Sequence, residues 1–327
     1  MRSRVLELLK KYQPDFVSGE TIARELSVSR TAVWKAIHYW QDKDYLIESS
    51  PRLGYRLLQA PGWLYPVEME GKLQSKLIGM PVEKMHHFLS LESTNETLKQ
   101  LAEKGASEGT VVLAEEQTRG KGRLGRSWSS PRGKGIWLSV LLKPAVFPQE
   151  VPVFTLLAAL AVSRAIRMNH PELKAGIKWP NDILVHEKKA CGILTELKAE
   201  TDRIHYLVAG IGLNADQEEE DFPPDLAPSA TSIYLESGKK ADRLQLAADM
   251  INQLDHAYHQ FCSQGARPII KAWKEHSITL GRKVTISHPA GDYPGKAVDI
   301  SADGALVVEK EDGTRKHFHA GEVTLRR

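Results

Sequence analysis

Residues 117–136 read QTRGKGRLGRSWSSPRGKGI, a run with six Lys or Arg side chains, five glycines and no Asp or Glu. Glycine lets a backbone approach a ligand closely and adopt positive φ angles. The six cations would repel one another unless an anion lay among them. The run therefore predicts a loop that binds a phosphate-bearing ligand, with a solvated surface loop as the alternative for any such cluster of charges.

The glycines within GKGRLG at 120–125 also match the dinucleotide-binding pattern G-x-G-x-x-G. That pattern requires a strand, a tight turn and an apolar helix, followed by an acidic residue about twenty positions later. A strand is predicted at 110–114, but Pro131 and its neighbours stand where the helix would begin, and no acidic residue follows until Glu150. The sequence therefore disfavours a Rossmann-type site.

Length and composition narrow the class of protein. With 327 residues the chain is long enough for two or three domains and a sizeable core. Its two cysteines, Cys191 and Cys262, are too few for a disulfide framework. The first residues lack the apolar segment of a signal peptide, and the apolar stretch around 153–162 is far shorter than the roughly eighteen residues of a membrane span. These features predict a cytoplasmic protein with no membrane partner.

The first sixty residues have the pattern of a winged helix-turn-helix. Apolar residues recur at helical spacing in three short segments separated by polar breaks, the second of which is LSVSR at 26–30. Ser29 is a good N-cap for the third segment, and so short a connection holds two helices at a steep angle. Strand patterns at 45–48 and 55–58 then predict a two-stranded wing.

The third helix is predicted to present polar side chains away from its apolar stripe, as helices that contact phosphates and base edges do. Residues 1–65 carry the whole charge excess of the chain, with ten Lys or Arg against seven Asp or Glu, whereas the remainder carries thirty-four of each. DNA binding is therefore predicted here, with protein docking as the alternative. The side chains expected to contact DNA are Ser29, Arg30, Thr31, Trp34 and Lys35. A linker is predicted at 60–66, where Pro and Gly interrupt the pattern.

Strand-like and helix-like patterns alternate from 79 to 277, which predicts a mixed α/β domain. The S-x-x-E motif at 93–96 has the form of a capping box and predicts a helix whose N-terminus offers small hydrogen-bonding side chains to a polar head group. KWPND at 178–182 places a cation, an amide and a carboxylate at a strand end that Pro180 interrupts. A lone Lys is usually solvated, but Lys178 and Lys189 beside an acid-free cationic loop predict an anion site.

Together these motifs resemble the biotin protein ligases, specifically the bifunctional kind that also represses the biotin operon. The resemblance covers the whole chain, and its motifs are specific only in combination. They are STN at 93–95, GKGRLGRSW at 120–128, KWPND at 178–182, KACGIL at 189–194 and GIGLN at 210–214. The resemblance implies an α+β multidomain protein with an N-terminal winged helix-turn-helix at 1–62, a central mixed α/β ligase domain of the biotin/lipoate ligase type at 63–278, and a C-terminal SH3-like β-barrel at 279–327. Strand patterns at 283–287, 295–300, 305–309 and 314–319 agree with the last of these.

The resemblance also implies a role for particular side chains. Ser93, Thr94 and Asn95 are expected near the ureido group of biotin, Trp128 beside adenine, and Lys189 at the biotin carboxylate and the α-phosphate. The expected catalytic residues are Arg123, Lys178, Asp182 and Lys189, and the expected contacts to biotin and ATP are Ser93, Thr94, Asn95, Gln117, Lys121, Gly122, Arg123, Trp128, Asn181 and Lys189. Many members of the family read GRGR where this chain reads GKGR, so Lys121 keeps an electrostatic contact without the bidentate geometry of Arg.

The implied reaction is the attack of the biotin carboxylate on the α-phosphate of ATP, with Mg²⁺, followed by transfer from biotinyl-5′-AMP to a lysine of a biotin carboxyl carrier protein. Asp182 is expected to orient the acceptor amine or take its proton, with a strand-end turn residue as the alternative, and the metal ligands stay unassigned. The adenylate is expected to promote a homodimer that binds operator DNA. Residues 210–214 are a candidate for part of the dimer surface, with a close-packed core strand as the alternative.

Three other functions fit part of the pattern. A lipoate or octanoate ligase would share the acyl adenylation and the transfer to lysine, but the N-terminal winged helix disfavours it. A ligand-sensing repressor without ligase activity is disfavoured by the presence of Lys178, Lys189 and the cationic loop. A working ligase whose DNA-binding unit does not repress is the third.

Overall fold

A computed structural model of the protein describes residues 1–200, 203–288 and 291–326. Residues 289–290 and Arg327 of the predicted C-terminal domain, and residues 201–202 of the predicted central domain, lie outside the described residues. The chain divides into two compact units, Met1–Trp63 and Leu64–Arg327.

The first unit consists of three helices and a hairpin: α1 Arg2–Tyr12, α2 Gly19–Leu26, α3 Arg30–Gln41, β1 Leu46–Ser50 and β2 Gly54–Gln59. The predicted N-cap of α3 is confirmed, because the Ser29 hydroxyl accepts a hydrogen bond from the Ala32 amide at 3.1 Å. Val33, Ile37 and Trp40 on α3 are buried, so they form the apolar stripe that packs against α1 and α2. The antiparallel β1-β2 hairpin follows α3 as the predicted wing.

The second unit contains six α-helices and twelve strands in its described residues. The helices are α4 Pro66–Met69, α5 Thr94–Glu103, α6 Val151–Asn169, α7 Ile233–Ser237, α8 Arg243–Gln264 and α9 Ala266–His276. The strands are β3 Met85–Phe88, β4 Val111–Ala114, β5 Gly135–Leu142, β6 Gly176–Lys178, β7 Asp182–Val185, β8 Lys188–Ala199, β9 Ile204–Asn214, β10 Lys283–His288, β11 Gly291–Ile300, β12 Leu306–Glu309, β13 Arg315–Phe318 and β14 Glu322–Leu325.

Seven of these strands form one sheet in the order β3-β4-β5-β9-β8-β7-β6. Strands β3 and β4 are parallel, and the other neighbouring pairs of this sheet are antiparallel. Side chains alternate between its two faces, so Val111 and Leu113 join the main core with α6, α8 and α9, while Val112 packs with Leu98 of α5 on the opposite face. Helix α5 therefore covers the second face of the sheet, and a site at its N-terminus lies on that same face.

Helix α6 and the turn before it, Pro148–Asn169, are long and apolar enough to cross a membrane by length and composition. However, 67% of the most apolar window is buried inside the protein, as in the core helix of a folded domain. Its residues pack against α8, α9 and the sheet.

The last five strands form an antiparallel sheet in the order β13-β12-β11-β10-β14. The four strands predicted from the sequence are present with slightly shifted ends, and β14 was not predicted. Strands β13 and β14 lie at opposite edges of this sheet and do not pair with each other in the described residues. The antiparallel C-terminal domain is thus confirmed, but the structure does not show a closed barrel.

Candidate active site

The floor of the site is formed by glycines on two neighbouring central strands. Gly192 on β8 is the cross-strand partner of Gly212 on β9, and Gly210 lies two residues away on the same face. A Cβ atom on Gly212 would lie 2.7 Å from Cε2 of Trp128, and one on Gly210 would lie 2.8 Å from Cγ of Asn95. Since real Cβ atoms do not approach other atoms so closely, both positions require glycine for Trp128 and Asn95 to lie on the sheet.

The N-terminus of α5 forms one end of the site, as predicted, but it is not capped in the predicted way. The Ser93 side chain makes no capping hydrogen bond. Instead, Oε1 of Gln117 accepts hydrogen bonds from the Thr94 amide at 2.9 Å and from the Thr94 hydroxyl at 3.1 Å. The capping-box prediction is therefore wrong, because a glutamine from the glycine-rich loop provides the acceptor and Glu96 pairs with lysines instead.

Asn95 is buried beside this helix end and is fixed from three directions. Its Nδ2 donates to Oε2 of Glu196 at 2.7 Å and to the Leu194 carbonyl at 3.2 Å. Its Oδ1 accepts from the Ser139 hydroxyl at 2.5 Å. Such a fully bonded buried amide is rigid, so it presents a preorganised polar surface to the pocket.

Cationic side chains meet at the other end of the site, around the β6-β7 hairpin. Lys178 is the cross-strand partner of Asp182, and the Asp182 carboxylate lies 2.7 Å from Nζ of Lys189. Nη1 of Arg123 donates to Oδ1 of Asn181 at 3.0 Å, and Nδ2 of Asn181 donates to the Ile193 carbonyl at 2.8 Å. Three cations thus surround one carboxylate, which leaves net positive charge for an anionic ligand.

Two of these cations are partly desolvated. Burial lowers the pKa of the Lys178 ammonium, with Lys189 adding to the effect and Asp182 opposing it. Burial likewise lowers the pKa of the Arg123 guanidinium, while Asp182 and Glu322 oppose the change. A charge that has lost part of its hydration gains more from a bound anion than a solvated charge does.

The glycine-rich segment folds as a narrow loop over the pocket. Its two sides are joined by hydrogen bonds from the Trp128 amide to the Gly120 carbonyl at 2.8 Å and from the Gly122 amide to the Arg126 carbonyl at 2.7 Å. Leu124 lies at the tip with a φ of 57° and is 76% exposed. Leu124 belongs to neither of the two hydrophobic clusters formed by the described residues of this domain.

Ion pairs attach this loop to the domain on both sides. Nζ of Lys121 lies 2.5 Å from Oε1 of Glu96 on α5, and Nη2 of Arg126 lies 2.6 Å from Oε1 of Glu322 on β14. Lys121 therefore lines the pocket with its ammonium group already paired to a carboxylate. Trp128 lies across the Gly192 and Gly212 floor, and Nζ of Lys189 lies 5.2 Å from the centre of one of its rings.

All the residues predicted to act in catalysis or to contact biotin and ATP line one pocket of about 430 Å³. A pocket of that volume suits a drug-sized ligand. In the described part of the chain, no group of three or more His, Cys, Asp and Glu side chains is placed to hold a metal ion.

Comparison with known proteins agrees with this geometry. Residues 88–214 match the biotin/lipoate A/B protein ligase family, residues 2–56 match the HTH domain, and residues 279–326 match the biotin protein ligase C terminal domain. The chain is 37% identical to the bifunctional ligase/repressor BirA of Bacillus subtilis over 320 residues, which cover 98% of this chain and 97% of that protein. The chain belongs to the biotin protein ligase family.

Two further relatives extend this result. The bifunctional ligase/repressor BirA of Escherichia coli is 28% identical over 314 residues, covering 95% of this chain and 94% of that protein. The structure of a biotin protein ligase from Aquifex aeolicus in complex with biotin and ATP superimposes with a TM-score of 0.64 and 31% identity, covering 74% of this chain and 98% of that one.

The sequence did not reveal two walls of the pocket in this biotin protein ligase. Phe222 and Leu226 line one wall, and Glu322 in the segment 321–324 lines another. The first wall joins β8 through the Lys189 amide, which donates to the Ser229 carbonyl at 2.8 Å. The Pro-rich composition of 222–230 gave a turn signal but no indication of a ligand.

The prediction that residues 210–214 form part of a dimer surface at a sheet edge is wrong, because this segment does not lie at an edge. This part of β9 pairs with β5 on one side, and with β8 on the other as far as Leu213. Its backbone groups are therefore used within the sheet, and its glycines form the pocket floor. The close-packed core strand, the alternative prediction, agrees with the structure.

The residues predicted to contact DNA lie on one exposed side of α3 and its N-cap: Ser29, Arg30, Thr31, Trp34 and Lys35. Trp34 is 52% exposed, and its ring packs edge-on against His38 with a centroid distance of 4.2 Å. The Ser29 hydroxyl also serves as the N-cap of α3.

Proposed function

We propose that this protein adenylates biotin with ATP, transfers biotin to a lysine of a biotin carboxyl carrier protein, and represses biotin genes as an operator-binding homodimer. The observation that carries the proposal is the convergence of every expected biotin and ATP residue on one pocket. The pocket has a neutral polar end and a cationic end, which suits a ligand with a polar head group and an anionic tail.

The neutral end takes the ureido group of biotin. Ser93, Thr94 and Asn95 lie there at the N-terminus of α5, and Gln117 links that terminus to the loop. These buried side chains hold a fixed polar surface, so a ligand with a polar head group is favoured over one that would place apolar atoms against that surface. This feature favours biotin over lipoate or octanoate, which lack a ureido group.

The cationic end takes the triphosphate and the biotin carboxylate. The carboxylate attacks the α-phosphorus, forming the mixed anhydride and releasing pyrophosphate, so two anions must approach each other. Arg123, Lys178 and Lys189 place fixed positive charge where this repulsion develops. Trp128 on its glycine floor flanks the adenine.

Acceptor transfer needs a neutral amine and a proton acceptor. The acceptor lysine attacks the anhydride carbonyl carbon, AMP leaves, and the amine loses a proton. Asp182, whose Oδ1 lies 2.7 Å from Nζ of Lys189, is the pocket carboxylate that we infer to orient the acceptor amine or to accept its proton.

Mg²⁺ fits the site as an ion held chiefly by phosphate oxygens and water. The carboxylates that line the pocket, Asp182, Glu187 and Glu322, are each paired with Lys or Arg side chains, which leaves them as weak additional ligands. When bound, the ion neutralises charge on the triphosphate.

The open edge of β8 offers a dimer surface in place of 210–214. Strand β8 pairs with β9 as far as Ala199, but β7 pairs only with Lys188–Gly192, so residues 194–199 have a strand neighbour on one side only among the described residues. Exposed edges of this kind pair with other chains. Leu194 lies in the pocket as well, so a bound adenylate and the dimer edge share one strand.

The predicted domain boundaries, 1–62, 63–278 and 279–327, serve as the functional division of the chain, with a DNA-binding unit, a ligase domain and a C-terminal domain. We infer an SH3-like fold for the C-terminal domain from the family resemblance, and its five antiparallel strands support this inference. We infer a cytoplasmic location, because the proposed acceptor protein and operator DNA are both found there.

Transfer to a purified biotin carboxyl carrier domain tests this function. With biotin, ATP and Mg²⁺ we expect one lysine of the domain to gain the mass of one biotinyl group. Lys189→Met should abolish the gain, and Lys188→Met, at the exposed neighbouring position, should not. No transfer from biotin, including the case in which a parallel reaction with lipoate transfers a lipoyl group, would refute the ligase. A mobility shift of biotin-operon DNA that requires biotin and ATP tests the repressor.

A further inference from the structure

A fully buried carboxylate lies at the base of the glycine-rich loop, outside the pocket. Glu115 follows β4 directly, and its side chain is 0% exposed. Its Oε1 accepts a hydrogen bond from the Leu64 amide at 2.6 Å and lies 3.0 Å from Nε2 of the buried His87. Its Oε2 pairs with Nη2 of Arg243, whose side chain is 7% exposed.

These contacts bring the two ends of the loop to one point. Residue 115 is where the chain leaves β4 for the loop, and Gly135 is where it returns as the first residue of β5. Nε of Arg243 donates to the Gly135 carbonyl at 3.0 Å, and the Gly133 amide donates to the Glu115 carbonyl at 3.0 Å. One ion pair therefore fixes both the exit from β4 and the entry to β5.

The contacts around Glu115 stabilise its carboxyl group in the charged form. Burial alone would raise the pKa of the Glu115 carboxyl, but the hydrogen bond from His87, the charge and hydrogen bond of Arg243 and the Leu64 amide together hold that pKa below its usual value. A buried pair of this kind is weak evidence for overall stability, since well-packed apolar residues often replace one at no cost. Its geometric effect is specific, because it holds two chain segments at a fixed separation.

The distance between the end of β4 and the start of β5 affects the pocket because Gln117 lies two residues beyond Glu115. Gln117 joins the α5 terminus through Thr94 and joins the far side of the loop through Ser130, with 2.9 Å between its Nε2 and the Ser130 hydroxyl. A shift at the base would thus move the loop and the N-terminus of α5 relative to each other. Small displacements of positioning groups cost up to about 100-fold in activity.

We propose that Glu115 and Arg243 are positioning residues that set the base of the glycine-rich loop and so determine how long the adenylate stays bound. This inference rests on the proposed ligase function. Neither side chain lines the pocket, so the role is one of positioning.

The test separates positioning from folding by removing the pair in two ways. Glu115→Gln alone removes the carboxylate that pairs with the buried Arg243, so it should lower the melting temperature strongly. The double variant Glu115→Gln with Arg243→Met keeps an acceptor for the Leu64 amide and removes both charges, so its melting temperature should recover. We nevertheless expect the double variant to release labelled biotinyl-5′-AMP roughly tenfold faster, the effect of losing about 1.4 kcal/mol of ligand retention.

Asp255→Asn supplies the matched control. Asp255 is buried and accepts three backbone hydrogen bonds from Lys76, Leu77 and Ile78, far from the loop in the sequence and outside the pocket. It should lower the melting temperature and leave adenylate release unchanged. If the double variant retained the adenylate as the wild type does, or if release simply followed melting temperature through all the variants, the positioning role would be wrong.

A second readout does not depend on ligase activity. Trypsin cleavage within 119–126 of the unliganded protein should be faster in the double variant than in the wild type, and unchanged in Asp255→Asn. If the wild type formed no adenylate, the proposed function would fail, whereas equal cleavage of the double variant and the wild type would overturn the positioning role itself.

Discussion

Gly212→Ala tests whether Trp128 must lie against the β8-β9 floor to bind nucleotide. The added Cβ would lie 2.7 Å from Cε2 and 3.1 Å from Cδ1 of Trp128, so the indole has to move off the sheet. Overpacking of this size costs about 1–3 kcal/mol. If the cost falls on the nucleotide site, ATP binding weakens by roughly 5- to 150-fold. The affinity of biotin alone should change little, because the three atoms nearest to the added Cβ at Gly212 belong to Trp128, whereas those nearest at Gly210 belong to Asn95.

The assay is isothermal titration of biotin, and of ATP with biotin present, for the wild type and two variants. Gly71→Ala is the matched control, since a Cβ there would meet nothing within 4 Å and its φ is ordinary. It should bind both ligands as the wild type does. If Gly212→Ala bound ATP normally while remaining folded, the assignment of Trp128 to the adenine would be refuted.

Four further variants test other parts of the account. Gly210→Ala displaces Asn95 and should weaken biotin binding by a similar factor with ATP less affected, which titration of biotin checks; equal losses for both ligands would contradict the division of the pocket. Arg123→Gly removes a pocket cation and should shorten adenylate retention and label bystander proteins, and unchanged retention in a filter-binding time course would refute it. Asp255→Ala leaves three backbone amides without an acceptor and should cost about 3 kcal/mol, or roughly 6–12 °C in melting temperature by calorimetry; a shift under 2 °C, on the order of 0.5 kcal/mol, would contradict this. Burial, reinforced by two arginines, lowers the pKa of His276 to about 4, so protons bind preferentially to the unfolded chain between about pH 6.5 and pH 4, and stability should fall by roughly 2 kcal/mol as pH decreases through that interval. Urea denaturation of His276→Gln should show a shallower pH dependence than the wild type, and identical slopes would be the contrary result.

The sequence predicted those features that depend on neighbours along the chain. The N-cap at Ser29 depends only on a hydroxyl and a backbone amide three residues apart, and the structure confirms it. The antiparallel C-terminal strands follow from turn residues that alternate with apolar patterns. The pocket residues were predictable as a set because their motifs, though scattered, resemble a family.

Features that depend on distant partners were missed or wrong. The capping box at 93–96 had the correct local pattern, but Gln117, more than twenty residues later, took the place of the cap. Glu115 and Arg243 are separated by 128 residues, and no periodicity marks two charges that will be buried together. The sequence could not decide between a dimer surface and a core strand at 210–214, because strand order is a property of the whole sheet and GIGLN fits a strand between two neighbours as well as one at an edge.

The central claim is that the pocket adenylates biotin. The most direct measurement is exchange of labelled pyrophosphate into ATP by the purified protein with Mg²⁺, comparing biotin, lipoate and octanoate as the acid. Exchange that requires biotin is the predicted result. Exchange with lipoate or octanoate alone would show a lipoate-type ligase, and exchange with none of the three would show a ligand sensor without ligase activity, so either result would contradict the account.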